Sequence, residues 1–197
     1  DTERRIGRVL PFLETYYAEP RPLWNHLREI FIQPHAMTAL RTMHETGLLG
    51  ALLPEWRMIE GFVIRDFYHR YTVDEHTLIV AENLFELRKP ATGTRRRFTE
   101  LLTEIDSLPL LVLAILLHDI GKSIDGPTHA QESARLGETI MDRIQMPEEE
   151  RPFVRFLVEH HLALSSVMNA RDLDDPATAK DLAGRAGTRS EERRVGE

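Results

Sequence analysis

The sequence predicts an all-α fold, and three observations carry that prediction. Apolar residues recur at spacings of three and four over most of the chain, which is the period of an amphipathic helix. Strand-like alternation of apolar and polar residues is scarce. Helix start signals, such as Thr72 three residues before Glu75 and Asp175 before Pro176, precede several of the periodic segments. We therefore expect a bundle of helices.

The first predicted helices lie within residues 1–58. The segment RPLWNHLREIFI starts near Pro22 and is closed by Pro34, and HAMTALRTMHETG runs to Gly47, a residue type that often follows a helix. The short apolar piece LLGALLPEW predicts a single turn. We expect residues 1–58 to form an N-terminal helical extension that packs against the rest of the chain.

The most apolar segment, SLPLLVLAILLHD, predicts the central buried helix because it has no polar face. The segment before it, PATGTRRRFTE, is polar with proline and glycine and predicts a loop that enters the next helix. Earlier still, TVDEHTLIVAENLFELRK begins with the capping box of Thr72 and Glu75. The predicted buried face of that helix consists of Val73, His76, Val80, Leu84 and Leu87.

Three further helices are predicted after the central one. THAQESARLGETIMDRIQ begins with a second capping box, Thr128 to Gln131, and DPATAKDLAGRAG begins with Asp175 as N-cap. PEEERPFVRFLVEHHLAL is predicted to bury Phe153, Phe156, Leu157 and Leu164. We expect residues 59–187 to form the main helical domain and residues 188–197, which lack apolar periodicity, to be a disordered tail.

The composition excludes several classes of function. A net charge of −7 argues against nonspecific binding to nucleic acid or anionic lipid, because both need a basic face. The absence of cysteine excludes a disulfide scaffold and a thiolate metal site. The longest apolar run, Leu108 to Leu117, is too short to cross a bilayer, and the first residues lack the apolar core of a signal peptide. We expect a cytoplasmic protein that binds neither nucleic acid nor membranes.

Several histidines and acids stand where metal chemistry explains them better than packing. In LLHDIGKSIDG the apolar helix ends on His118 and Asp119, and a core helix needs neither. His76 lies on a predicted buried face, where an imidazole requires a partner. The candidate ligands, drawn from successive helices, are His76, His118, Asp119, His129, His161 and Asp172. His160, beside His161, is a second candidate ligand or a proton carrier, whereas His26, His35 and His44 are interpreted as ordinary surface or core residues.

The ordered set His…His-Asp…Asp, together with HDIGK, resembles the HD superfamily of metal-dependent phosphohydrolases over about residues 60–185. A narrower resemblance covers most of residues 40–178. TGLLGALLPEWRMIEGFVIRDFYHRYTVDEHTL, followed by HH and ARDLDDP, is similar to the HD domain of the bifunctional uridylyltransferase/uridylyl-removing enzymes of the PII signal protein. This resemblance implies an all-α HD bundle that hydrolyses uridylylated PII to PII and UMP, a reaction of nitrogen regulation.

The resemblance also implies roles for single residues. His76, His118, Asp119 and Asp172 match the core ligand motif of the superfamily, and His129 and His161 match additional histidines of its two-metal members. Lys122 matches a lysine near the phosphate, so the implied catalytic residues are Lys122 and Asp119, with His160 as proton carrier. Gly121 stands where the family usually has alanine.

The expected cofactor is one or two divalent ions held by nitrogen and oxygen, with Mn²⁺ as first choice and Fe²⁺, Zn²⁺, Co²⁺ or Mg²⁺ as alternatives. The nucleotidyltransferase and glutamine-sensing domains of the family enzymes have no counterpart in this sequence. Two other functions stay open: an HD phosphohydrolase for a free nucleotide or alarmone, and a non-catalytic regulatory module that binds a metal or ligand.

Overall fold

The computed structural model of the chain describes residues 2–64, 70–124, 128–170, 172 and 174–187. Within these ranges the chain is helical and has no strand, which confirms the all-α prediction. The helices are α1 (Thr2–Tyr17), α2 (Trp24–Ile32), α3 (Ala36–Glu45), α4 (Leu48–Leu52), α5 (Val73–Glu86), α6 (Thr94–Thr103), α7 (Leu108–Leu117), α8 (His129–Arg143), α9 (Arg151–His160), α10 (Ala163–Ala170) and α11 (Pro176–Ala186). One 3₁₀ turn, Pro54–Met58, follows α4, and another, Ile120–Ser123, follows α7. The predicted disordered tail, residues 188–197, lies outside the described residues.

Helix α7 occupies the centre of the bundle, as its composition predicts. It packs against α2, α5, α8 and α9, and Val112, Leu113, Leu116 and Leu117 are at most 1% exposed. A helix enclosed on all sides has no use for a polar face, which explains the uninterrupted apolar run. The residues that end α7 are therefore carried to a point where several helices meet.

The helices before residue 59 share the core of the later ones. Leu40, Leu49 and Trp56 belong to the same cluster of buried apolar side chains as α7. The backbone amide of Trp24 donates to the carbonyl of Ile144 at 3.0 Å, which joins the start of α2 to the end of α8. The domain boundary at residues 58 and 59 remains a prediction, but the apolar core is continuous across it.

Three local predictions are wrong, each for a physical reason. Leu164 is 56% exposed because a new helix, α10, begins after the two histidines and breaks the period carried from α9. Helix α6 begins at Thr94, inside the predicted loop, where Arg96 and Glu100 form an i, i+4 ion pair. Neither capping box closes: Thr72 and Thr128 are N-caps without side-chain hydrogen bonds.

The remaining predictions for helix ends are closer to the structure. Asp175 caps α11 and accepts a hydrogen bond from the amide of Ala177 at 2.9 Å. In α9 the fully buried side chains are Val154 and Val158, and Phe153, Phe156 and Leu157 are partly buried. No described helix combines the length and the hydropathy that a membrane crossing requires.

Candidate metal centre

Four helices each bring one end to the carboxylate of Asp119. His118 is the C-cap of α7, His161 is the C-cap of α9, and His129 is the first residue of α8. His76 lies in the first turn of α5. The sequence predicted that these ligands come from successive helices around α7, and the structure places them so. His76 is more open than predicted, because its side chain is 41% exposed.

The Asp119 side chain is only 2% exposed, and each of its oxygens faces two imidazoles. Oδ2 lies 3.1 Å from Nε2 of His118 and 3.7 Å from Nε2 of His76. Oδ1 lies 3.4 Å from Nε2 of His129 and 3.5 Å from Nε2 of His161. The five side chains thus form two groups of three ligands that share the carboxylate.

These separations suit a divalent ion. Two nitrogen or oxygen ligands about 2.1 Å from one ion lie roughly 3.0 to 3.4 Å apart in octahedral or tetrahedral geometry. The distances from Asp119 to its four imidazoles fall in or just above that range. His129 and His161 also bring their Nε2 atoms to 3.3 Å of each other.

The orientation of two histidines is fixed by the helices that they end. Nδ1 of His118 lies 2.6 Å from the carbonyl of Ile115, and Nδ1 of His161 lies 2.7 Å from the carbonyl of Val158. A carbonyl can only accept, so both Nδ1 atoms must donate. In the neutral ring Nε2 then carries a lone pair directed at Asp119. Two lone pairs at such distances repel each other unless a proton or a metal ion lies between them. In metal sites of proteins a ligating histidine is oriented in this way, because its other ring nitrogen donates to a carbonyl or a carboxylate.

The electrostatics of Asp119 also fit a cation. Among the described residues no hydrogen-bond donor reaches its buried Oδ1. Burial raises the pKa of the Asp119 carboxyl, but His118, His161 and Lys122 together lower that pKa by a larger amount. The pKa therefore lies far below its usual range, and the carboxyl is ionised. Burial lowers the pKa of the His129 imidazole more than the Asp119 charge raises it, which favours the neutral form that a metal needs.

Lys122 brings a positive charge to the same carboxylate. It lies in the 3₁₀ turn after α7, its side chain is 12% exposed, and Nζ is 2.7 Å from Oδ2 of Asp119. The ammonium therefore borders the group that contains His76 and His118. The role of Lys122 beside a bound phosphate remains a prediction.

Two of the predicted site residues lie apart from both ligand groups. Asp172 is exposed, and its carboxylate accepts a hydrogen bond from the backbone amide of Asp174 at 2.9 Å. His160 is exposed, stacks on Phe156 at 4.6 Å and places Nδ1 3.0 Å from the carbonyl of that residue. The ligand role of Asp172 and the proton-transfer role of His160 remain predictions.

Sequence reasoning missed the contact that holds the 3₁₀ turn against α8. The amide of Gly121 donates to the buried hydroxyl of Ser133 at 3.0 Å. A Cβ at Gly121 would lie 2.6 Å from the backbone nitrogen of Ser133 and 2.7 Å from the carbonyl oxygen of His129. Because Gly121 has no Cβ, the turn that follows Asp119 can approach α8 this closely. The glycine in HDIGK was the available signal, but its partner on α8 could not be identified from spacing.

A cavity of about 790 Å³ lies elsewhere, between α3 and the C-terminal half of α5. Its lining combines Arg41, Arg88 and Lys89 with Glu82 and Glu86. Neither ligand group of Asp119 contributes a side chain to it. The cluster of converging nitrogen and oxygen atoms lies at Asp119, outside this cavity.

Comparison with known proteins gives a consistent result. The model of the HD domain matches residues 73–188. Bifunctional uridylyltransferase/uridylyl-removing enzymes are similar: that of Gluconobacter oxydans is 41% identical over 73% of this chain and 15% of its own length. Those of Methylococcus capsulatus and Bordetella pertussis are 37% and 35% identical over 79% and 85% of this chain, and 18% and 19% of their own lengths. The chain thus spans less than a fifth of these relatives.

Proposed function

Because this chain belongs to the HD-domain family, we propose that it is a metal-dependent phosphohydrolase that removes UMP from uridylylated PII protein. The family and its relatives support metal-dependent phosphate-ester hydrolysis as the reaction class. The uridylyl-removing activity, the PII substrate and a role in nitrogen regulation are proposals. They rest on relatives named for uridylyl removal, of which this chain spans only a part.

The observation that carries the proposal is the convergence of four imidazoles on a buried carboxylate, with the neutral His118 and His161 rings turning Nε2 lone pairs towards it. Asp119 is ionised, and one of its oxygens accepts no hydrogen bond in the described part of the chain. Four imidazoles surround it, and two of them, His118 and His161, have their Nδ1 atoms committed to carbonyls. A purely structural role leaves such a cluster of acceptors unexplained.

We assign the ion-holding role to the two groups that share Asp119, one with His76 and His118 and the other with His129 and His161. Mn²⁺ is the ion that we propose first, since imidazole and carboxylate together suit divalent ions of intermediate character. When bound, the ion supplies Lewis acidity, which acidifies water and neutralises phosphoryl charge. Asp172 is proposed as a further ligand on the family motif.

The chain's own side chains supply the remaining requirements of phosphodiester hydrolysis. Lys122 is proposed to bind a non-bridging phosphate oxygen, because its ammonium borders the ligand cluster and is largely shielded from solvent. His160 is proposed to carry the proton, because its Nδ1 is engaged with Phe156 and its Nε2 can accept. In the proposed substrate the UMP is esterified to a tyrosine of PII, so water adds to phosphorus and the bond between phosphorus and that tyrosine oxygen breaks. The phenolate leaves with a pKa of about 10, so strong general-acid help is not required.

The test is UMP release from uridylylated PII by the purified, Mn²⁺-loaded chain, beside the Asp119→Ala variant. We expect release by the wild-type chain and none by the variant. A panel of free nucleotides, an alarmone and bis(p-nitrophenyl) phosphate is assayed in parallel. Cleavage of the panel with PII-UMP left intact would reject the PII substrate and keep the phosphohydrolase. Metal binding without any cleavage would favour a regulatory module.

A further inference from the structure

Helix α3 contacts the first turn of α5, the turn that carries His76. Arg41 and His44 lie three residues apart on α3 and therefore on one face of it. Nη1 of Arg41 donates to both carboxylate oxygens of Glu75, at 3.2 and 3.1 Å, and Nη2 donates to Glu82 at 3.1 Å. Glu75 is the predicted partner of Thr72 in the capping box, so its engagement with Arg41 explains why that box stays open.

The neighbouring carboxylate, Asp74, is held by His44. Nε2 of His44 lies 3.4 Å from Oδ2 of Asp74, and the backbone amide of Gly61 donates to the same oxygen at 3.2 Å. The indole of Trp56 donates to Nδ1 of His44 at 3.2 Å. Because Nδ1 must accept, the neutral ring carries its proton on Nε2 and donates it towards Asp74. The tautomer of His44 is thus set by a residue twelve positions along the chain.

The two carboxylates that α3 contacts, those of Asp74 and Glu75, immediately precede the candidate ligand His76 in the sequence. Successive helical residues turn by about 100°, so Asp74 and His76 project on nearly opposite sides of α5. Asp74 is 6% exposed and faces the core, whereas the His76 side chain is 41% exposed and faces Asp119. Contacts that hold Asp74 and Glu75 therefore fix the rotation of the turn and the direction of the His76 imidazole.

We infer that Arg41 and His44 are positioning residues for the His76 ligand, with Trp56 fixing the tautomer of His44. This inference rests on the metal site of the proposed function and is independent of its substrate. All three residues precede residue 73, where the match to the HD-domain model begins. The extension before the HD domain is by this inference a working part of the metal centre.

We call the contacts of Arg41 with Glu75 and of His44 with Asp74 the clamp. The metal affinities of the two ligand groups should respond differently to its loss. His76 belongs to the group with His118, whereas the described hydrogen bonds and ion pairs of His129 and His161 run to Asp119, to each other and to Val158, none of which lies on α3. A clamp variant should weaken the first group and leave the second unchanged. General loss of stability would weaken both, so the difference separates positioning from a merely structural role.

The experiment titrates Co²⁺ into the metal-free full chain and follows both binding and visible absorption. Arg41→Gln and His44→Leu should weaken one class of site by about tenfold, the scale found for residues behind a metal ligand. His44→Gln should stay within about twofold of wild type, because its amide can accept from Trp56 and donate to Asp74 as the histidine does. The spectrum of the affected site should change in the first two variants alone.

The matched control is Arg28→Gln. Arg28 pairs with Glu150 and joins α2 to the start of α9, at an exposure similar to that of Arg41, and this ion pair does not involve α5. It should lower thermal stability without changing Co²⁺ affinity. If His44→Leu does not fold, Trp56→Phe, which keeps a ring and loses the donor, takes its place.

The outcomes of the Co²⁺ titration distinguish a positioning role of α3 from a structural one. Equal affinity of wild type, Arg41→Gln and His44→Leu at both classes of site overturns the clamp and leaves the proposed function intact. Equal weakening of both classes assigns α3 a structural role only and also overturns it. Absence of metal binding by the wild-type chain overturns the clamp and the proposed function together.

Discussion

Asp74 and Asp119 are both buried carboxylates, and only one of them is at the centre of a candidate metal site. They are 6% and 1% exposed, and among the described residues Oδ1 of each lacks a hydrogen-bond donor. Each also faces a histidine, His44 in one case and His118 in the other, through Nε2. Burial, charge and the neighbouring residue type therefore do not distinguish them.

The difference lies in what the far side of each imidazole contacts. Nδ1 of His44 accepts from the indole of Trp56, so the proton sits on Nε2 and is donated to Asp74. Nδ1 of His118 donates to the carbonyl of Ile115, one of the unpaired carbonyls at the end of α7, so Nε2 of the neutral ring is bare. A donor behind the ring makes His44 a hydrogen-bond donor to its carboxylate, whereas an acceptor behind the ring leaves the neutral His118 ring with a lone pair that could bind a metal ion.

The largest expected effect is that of Asp119→Asn compared with Asp74→Asn. Asp119→Asn removes the anion shared by both ligand groups, so we expect the metal content of the purified chain to fall to background. Asp74→Asn keeps an oxygen for His44 and both ligand groups, so we expect the metal stoichiometry to stay as in wild type. Metal analysis after dialysis measures both. Equal loss in the two variants would mean that burial of the charge, and not the ligand set, controls binding.

The second prediction concerns the turn that carries Asp119. Gly121→Ala forces a Cβ against backbone atoms of Ser133 and His129, which cannot move as a side-chain end can. We expect a loss of about 1 to 3 kcal/mol in the free energy of unfolding, as for other overpacked sites, and weaker metal binding by the group that contains His129. Urea unfolding and metal titration measure the two effects.

Gly184→Ala is the matched control for that substitution. Gly184 lies within α11, and a Cβ there would meet no atom within 4 Å. Alanine should raise stability by up to about 1 kcal/mol, because glycine is the poorer helix former. A Gly121→Ala chain as stable as wild type would show that the turn can withdraw from α8 at no cost.

Five of the six candidate ligands come together around Asp119, and their positions depend on local signals in the sequence; Asp172 does not join them. Apolar periodicity locates the helices, the end of α7 is visible where the apolar run stops, and His118, His129 and His161 lie at helix ends. These ends converge because one enclosed helix organises the bundle. The predicted burial of Leu164 is wrong, because the apolar period of α9 does not continue across the break before α10.

The roles of His44 and Gly121 cannot be predicted from the sequence, because they depend on partners that are distant along the chain. His44 differs from a ligand only through Trp56, whose indole reaches it from the turn after α4. Gly121 matters only because α8 passes within contact distance of the turn. Sequence spacing carries no information on either approach.

The third prediction is a dependence of stability on pH around Asp119. The pKa of His129 in the folded, metal-free chain lies below its ordinary value of 6.5, so between these values the unfolded chain binds one more proton. The contribution of the neutral His129 side chain to stability is fully present above pH 6.5 and is lost as the pH falls through the folded pKa. Over that interval the free energy of unfolding falls by at most about 1.4 kcal/mol per pH unit. Urea unfolding of wild type and His129→Gln between pH 8 and pH 5 should show a steeper loss in wild type. Parallel curves would contradict the lowered pKa. Asp119 adds a similar loss only below about pH 3.8, since its folded pKa is also lowered.

The smallest effect, and the most direct test of the comparison, is spectroscopic. Nitrogen-15 NMR of the metal-free chain near pH 8 distinguishes the two neutral tautomers of each histidine. We expect the proton of His44 on Nε2 and those of His118 and His161 on Nδ1, because the first ring has a donor behind it and the other two have carbonyls. Trp56→Phe removes the donor and should release His44 from its fixed tautomer while His118 and His161 keep theirs. If His118 or His161 carried its proton on Nε2, the ring would donate to Asp119 as His44 does to Asp74. The physical distinction between ligand and structural pair would then be lost.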